Sequence, residues 1–165
     1  MHPIEETLGQ ISPFLHRIFT NLEKDNIDAS NFQLDHVCYR VETQETYLTL
    51  KKMLSKYGSI LSQEEVGGRL ISTFKLKQPI IYKTREIDCI ELPSPKEGSF
   101  YEQGYEHAEF VIDEKFSQFI NRHPTVNFST RAISKKTNPD ISIGYDGISV
   151  KFHHEALESV IKNQQ

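Results

Sequence analysis

Two histidines, each set in a stretch that alternates like a β-strand, are the residues of this chain best placed to do chemistry. In QLDHVCYRV, residues 33 to 41, a strand sends His36, Cys38 and Arg40 to one side and Val37, Tyr39 and Val41 to the other. In YEHAEFVI it separates His107 and Glu109 from Ala108, Phe110 and Ile112. Two further runs divide in the same way. IDCIELP sets Cys89 and Glu91 against Ile90 and Leu92, and GISVKFHH sets Ser149, Lys151 and His153 against Ile148, Val150 and Phe152. Each run has an apolar face for helices to cover and a second face that carries an ionisable group. If the sheets curl toward one another, these second faces line a common cleft.

The elements that must position these groups can be read along the chain. Over residues 1–32, Leu8, Ile11, Leu15, Ile18, Phe19 and Leu22 recur at helical spacing and Pro13 interrupts them, which predicts one or two leading helices. After the first strand, Thr43 is placed to cap a helix whose apolar stripe is Tyr47, Leu50 and Leu54, with Gly58 expected to end it. Gly67 and Gly68 read as a bend into an extended segment, and IDCIELP closes a β-α-β-β-β unit over residues 33–92. PSPKEGSFYEQG, residues 93–104, is rich in Pro, Gly and Ser and reads as a connector.

Residues 105–165 are expected to repeat the order. YEHAEFVI is followed by a short helix capped by Asp113, with Phe116, Phe119 and Ile120 inward, then by extended segments ending in GISVKFHH. A closing helix turns Ala156, Leu157, Val160 and Ile161 inward. The expected fold is therefore α+β, a single domain of residues 1–165. Paired βαβββ modules form a curved mixed β-sheet, or half-barrel, around a cleft, with an N-terminal helical extension.

Composition removes several functions. With 19 Lys and Arg against 23 Asp and Glu the net charge is −4, and the basic residues are scattered, so no footprint for nucleic acid is expected. MHPIEETLGQ has acidic residues where a signal peptide needs a basic and then an apolar region, and no run approaches a membrane span. The expectation is a cytoplasmic protein. Cys38 and Cys89 lack CxxC spacing and are too few for a disulfide framework, so both should be reduced, packed thiols.

Two βαβββ modules with ionisable groups on the first and last strand of each resemble the vicinal oxygen chelate superfamily, which includes glyoxalase I, extradiol dioxygenases and bleomycin-resistance proteins. LDHVCYRV, VGGRLISTFKL, IDCIELPSPKEGSFY and YEHAEFVI together resemble its YecM family, over roughly residues 5–160. The resemblance implies a metal site, and carried over residue by residue its ligand positions fall on His36, Glu91 and His107. The fourth position falls on Lys151, where metal-binding relatives usually have a carboxylate. A protonated lysine offers no lone pair, which leaves two imidazoles, one carboxylate and open coordination positions. His153, two residues on, could supply a fourth ligand if the strand end bends inward. Such a set suits Zn, Ni, Fe, Co or Mn, and a substrate offering two adjacent oxygens could then chelate the ion, which would stabilise an enediolate or related oxyanion.

The resemblance thus implies a metal-dependent enzyme acting on a small, oxygen-rich, anionic molecule by isomerase, lyase or oxidoreductase chemistry. The alternative is a protein of the same fold that sequesters a small ligand without catalysis. A purely structural reading is coherent too: Glu91 and Lys151 could form a buried ion pair, with Lys151 approaching Glu91 from the opposite half and both histidines hydrogen-bonded around it. Arg40 and Arg69 are placed to hold a carboxylate or phosphate, with Lys151 and His153 nearby. Glu109 would serve as a general base if burial raised its pKa. Because one chain carries both modules, the cleft can close without a second subunit; a monomer is expected, with homodimerisation compatible.

Overall fold

The alternating runs become strands of one mixed sheet in a computed structural model that describes residues 2–165. Two helices lead, α1 (Glu5–Leu8) and α2 (Ser12–Lys24). The first half follows as β1 (Gln33–Arg40), α3 (Gln44–Leu54), β2 (Gly58–Val66), β3 (Arg69–Tyr82) and β4 (Arg85–Pro93). The second half is β5 (Gly104–Val111), α4 (Phe116–Arg122), β6 (Asp140–Tyr145) and β7 (Ile148–His153), closed by α5 (Leu157–Gln164). The strand order is β2-β3-β4-β1-β5-β7-β6. β1 runs parallel to β4 and antiparallel to β5, which in turn runs parallel to β7. The two halves therefore meet at the β1–β5 pair, and β4 and β7 flank it symmetrically.

Local chemistry explains most of the boundaries. Pro13 does not break α2 but occupies its first turn, where a missing N–H costs nothing, and the Glu5 carboxylate accepts from the Ile11 N–H at 3.1 Å just before it. Thr43 caps α3 as expected, its hydroxyl accepting from the Thr46 N–H at 3.1 Å. Gly67 and Gly68 both have positive φ, 60° and 80°, the requirement of a two-residue hairpin turn between β2 and β3.

Three expectations change. Gly58 does not end α3. It opens β2, where a Cβ would lie 2.2 Å from the Lys75 carbonyl oxygen, so close approach of two backbones is what selects glycine. Asp113 caps no helix, because α4 starts at Phe116 behind Lys115. The second half also lacks a full third strand in its hairpin set. Only a bridge between Ser129 and Ser142 stands in its place.

One face of the sheet carries the core. Leu34, Val37 and Tyr39 from β1, Phe74 from β3, Ile90 and Leu92 from β4, Ala108 and Phe110 from β5 and Val150 and Phe152 from β7 are all buried. They share one cluster with Leu15, Ile18 and Leu22 of α2 and with Tyr47, Leu50 and Leu54 of α3. Each fully buried Leu, Ile or Phe contributes about 1.5–3 kcal/mol, enough to hold the helices to this face. The other face is polar, and α5 crosses one end of it. Its Leu157 N–H is accepted by Asp35 at 2.9 Å, and Glu158 pairs with Lys75 at 2.5 Å.

Candidate metal centre

The four strands whose polar faces were singled out are the central ones, and their register gathers the ionisable groups into two adjacent rows. His36 of β1 stands beside Cys89 of β4 and Glu109 of β5, which in turn faces Lys151 of β7. One step along, Cys38 stands beside Glu91 and His107, which faces Ser149. One donor atom from each of His36, Glu91, His107 and Glu109 lies within 4.8 Å of the others. His36, His107 and Glu109 are buried, and Glu91 is half-buried. The expected trio of His36, Glu91 and His107 is thus brought together, and Glu109 joins it.

Two irregularities in the β1–β5 ladder orient the imidazoles. Between Leu34 and His36 the register slips, so Asp35 is an extra residue on β1; between Cys38 and Tyr39 it slips the other way, so Glu106 is an extra residue on β5. A bulge of this kind turns two successive side chains to the same side. Leu34 and Val37 keep to the core, while Asp35 joins His36 on the polar face and Glu106 joins His107. The His36 Nδ1–H donates to Asp35 Oδ2 at 2.8 Å, and the His107 Nδ1–H donates to Glu106 Oε2 at 2.6 Å. With each Nδ1 so engaged, each Nε2 is aimed into the cluster, the arrangement in which a carboxylate orients a metal-ligating histidine. The His36 Nε2 lies 3.3 Å from Glu109 Oε1 and 3.7 Å from Glu91 Oε2, and that of His107 lies 3.2 Å and 3.8 Å from the same atoms. Asp35 and Glu106 escaped a strict period-two reading, which sends both to the core; the signal was an acid directly before the histidine in both LDHV and YEHA.

The charges of the network are tightly balanced. Burial alone would push the His36 imidazole down, but the carboxylates of Glu109, Asp35 and Glu91 outweigh it and hold the group up at about 10. His107 is raised against burial and Lys151 by Cys38 and Glu106. Burial would raise Glu109, yet Lys151, His36 and His107 hold it well below the usual carboxylate range. The expected upward-shifted general base is therefore not what Glu109 is in this environment; it is an ionised carboxylate. Glu106 falls to about 2, because His107 and Arg40 outweigh its burial. Cys38 and Cys89 are buried free thiols, as expected, and burial pushes Cys89 up to about 12.

Lys151 corrects another expectation. Its Nζ donates to Glu109 Oε1 at 2.9 Å, not to Glu91, because Glu109 is its register partner on the adjacent strand whereas β1 and β5 intervene before Glu91. The same Nζ is 3.2 Å from His107 Nε2, a hydrogen bond when His107 is neutral and a repulsion when it is protonated. His153 is fully buried, and its Nδ1–H donates to the Glu155 carbonyl at 2.6 Å. Its Nε2 lies 3.4 Å from Asp35 and 3.6 Å from Glu109 Oε2, behind His36 instead of inside the four-residue set. Arg40 and Arg69 meet at the other end of the cleft, around Tyr101.

The donor set fits a divalent ion. Two imidazole nitrogens and two ionised carboxylates converge, and the His36 Nε2 is buried with no hydrogen-bond partner among the described residues, its nearest oxygens being poorly aligned. Two cavities, of about 580 and 600 Å³, lie elsewhere and gather no such donors. The first is lined in part by Arg85, whose N–H groups already donate to the Phe32, Ala29 and Ser30 carbonyls.

Comparison with known proteins bears on the family and the fold. The family model described as YecM protein matches residues 4–164. An uncharacterised protein of Haemophilus influenzae is 33% identical over 130 residues, 74% of this chain and 68% of that protein. The solved structure of structural-genomics protein EC4020 superimposes with a TM-score of 0.80 at 21% identity, over 97% of this chain and 92% of the other. A variant of Streptomyces coelicolor methylmalonyl-CoA epimerase in complex with 2-nitronate-propionyl-CoA shares the fold at a TM-score of 0.52 and 11% identity, over 75% of this chain and 97% of the other. These neighbours carry the vicinal oxygen chelate fold.

Proposed function

The chain belongs to the YecM family, and from that premise we propose that it is a metal-dependent enzyme that acts on a small, oxygen-rich, anionic molecule by isomerase, lyase or oxidoreductase chemistry. The observation that carries this reading is the convergence of His36, Glu91, His107 and Glu109, with two supporting carboxylates fixing the imidazoles. That a methylmalonyl-CoA epimerase shares the fold supports reading the polar cleft as a small-molecule site.

His36, Glu91, His107 and Glu109 would hold a divalent ion, of the Zn, Ni, Fe, Co or Mn group. Such an ion supplies Lewis acidity toward a ligand that offers two adjacent oxygens. Asp35 and Glu106 keep the histidines in one tautomer and orientation. Lys151, a quarter exposed beside Glu109, is placed to donate a hydrogen bond to a ligand oxygen or to return a proton to it. The burial of His36, His107 and Glu109 excludes water on the core side, which leaves Glu91 and Lys151 as the exposed rim through which a ligand enters. One chain supplies both halves of the cluster, so a monomer is complete. No helix among the described residues is long and apolar enough to cross a membrane. The cytoplasm, expected from the sequence, is the site of action in this reading.

Metal analysis of untagged protein followed by calorimetric titration tests the reading. Near-stoichiometric divalent metal in the wild type, with affinity lost in His36→Ala and in His107→Ala, is expected. Unchanged affinity in both variants would remove this cluster from the function, and protein that neither holds nor takes up an ion would favour a non-catalytic binder.

A further inference from the structure

The polar face extends beyond the four-ligand cluster in one direction only. At the His36 end it is closed by α5, through the Asp35 to Leu157 hydrogen bond and the pairing of Lys75 with Glu158. At the other end stand two arginines from different strands. Arg40 follows Cys38 by two residues on the same face, and Cys38 is the register partner of both Glu91 and His107. Two residues of strand rise place its Cα about 7 Å along the cleft from that row. Arg69 lies on the same face of β3, four residues before Thr73, the register partner of Glu91. The connector between the halves then brings Tyr101 to both. Its ring centroid is 4.8 Å from the Arg40 guanidinium carbon and 5.4 Å from that of Arg69, and its hydroxyl accepts from Arg69 Nη1 at 3.1 Å.

This corner is short of acceptors. Arg40 Nε donates to Glu106 Oε2 at 3.0 Å, but that oxygen also serves His107, and Arg40 Nη1 is buried without a hydrogen-bond partner among the described residues. The hydrogen bond found for Arg69 goes to a neutral phenol. Of the two guanidinium groups, only Arg40 thus meets a carboxylate, and that carboxylate is itself shared with His107. A planar fork with free N–H groups matches a carboxylate or phosphate in two-point contact, and the Tyr101 ring holds both forks in place by stacking.

We propose that Arg40, Arg69 and Tyr101 form an oxyanion subsite that takes the terminal phosphate or carboxylate of a small acid whose other end presents two adjacent oxygens to the His–Glu cluster. The substrate class this defines is a short 2-hydroxy or 2-oxo acid with a second anionic group a few bonds away. The proposal rests on the reading of the cluster as the reacting end, but the subsite binds its anion without the metal, so the two can fail separately.

Inorganic phosphate is titrated into chelator-treated protein while the arginine side-chain N–H resonances are followed by NMR, for wild type and for Arg69→Gln, whose hydrogen-bond contact is Tyr101 alone. Wild-type binding weakened by about tenfold or more in Arg69→Gln, equivalent to about 1.4 kcal/mol, is the expected result. Equal binding by both proteins, or none by the wild type, would overturn the subsite. Calorimetry on zinc-loaded protein then compares 3-phosphoglycerate with glycerate, and 2-hydroxyglutarate with 2-hydroxybutyrate. The pair with the larger preference names the anion, and that preference should vanish in Arg69→Gln while zinc affinity stays unchanged. A preference that survives the substitution would overturn the proposal. Phosphate binding through Arg69 in a protein that takes up no zinc would retain the subsite and refute the metal reading alone.

Discussion

Asp35 is the residue whose removal should reach furthest, because one carboxylate oxygen ties three elements together. Oδ2 accepts the His36 Nδ1–H at 2.8 Å and the Leu157 N–H at 2.9 Å, and it faces His153 Nε2 at 3.4 Å. Asp35, His36 and His153 are all buried, so no water replaces the lost acceptor. Asp35→Ala leaves two donors unpaired, each costing about 1–3 kcal/mol, and strips a charge from a buried network whose single-partner removals cost about 3–5 kcal/mol. The two figures describe overlapping losses, so about 3–5 kcal/mol in total is expected, a fall in Tm of roughly 6–20 °C for a chain of this size. Asp35→Asn keeps an acceptor of the same shape and should lose less than half as much. Urea unfolding of both variants in the presence of a chelator measures this. In parallel, metal affinity of the Ala variant should fall by about 10- to 100-fold, the usual cost of losing a supporting partner. If Asp35→Ala costs less than about 0.5 kcal/mol, the range of ordinary surface changes, the bulged carboxylate does not organise the site.

Glu106→Ala should reproduce the loss of metal affinity through His107 with a smaller effect on stability, since Glu106 is a third exposed and caps no helix; equal stability losses in the two acids would contradict that asymmetry. Stability of the chelator-treated protein should fall as pH rises above 6.5. The His36 imidazole binds its proton more tightly folded than unfolded, so its contribution is complete below 6.5 and lost as pH climbs toward 10, at about 1.4 kcal/mol per pH unit at most. Urea midpoints that stay level or rise from pH 6.5 to 9 would show that the carboxylates do not hold the proton. Lys151→Glu, which puts a carboxylate at the position symmetric to that of Glu91, should raise calorimetric affinity for zinc by about tenfold or more, about 1.4 kcal/mol, while destabilising the metal-free protein; weaker binding would count against a competing ammonium. Gly58→Ala should cost about 1–3 kcal/mol in urea unfolding because its Cβ would meet the Lys75 carbonyl at 2.2 Å, and a neutral result would show that β2 and β3 can part there.

Period-two alternation was legible without coordinates because each central strand separates a helix-covered face from a polar one, and that constraint acts residue by residue. It was enough to place His36, Glu91, His107, Glu109 and Lys151 on one side of a sheet and to mark two related halves. The cap at Thr43 and the turn at Gly67 and Gly68 were equally local and equally readable. What alternation alone could not reveal was register, because pairing between strands far apart in the chain is decided by the packing of whole faces. Two register slips put Asp35 and Glu106 beside the histidines they follow in space and precede in sequence, against the parity that their positions imply. The same long-range pairing set Lys151 against Glu109 in place of Glu91 and turned the expected base into an ionised member of the cluster. Side-chain identity determined which groups could meet; the register of β4, β1, β5 and β7 decided which of them did, and in what state of charge.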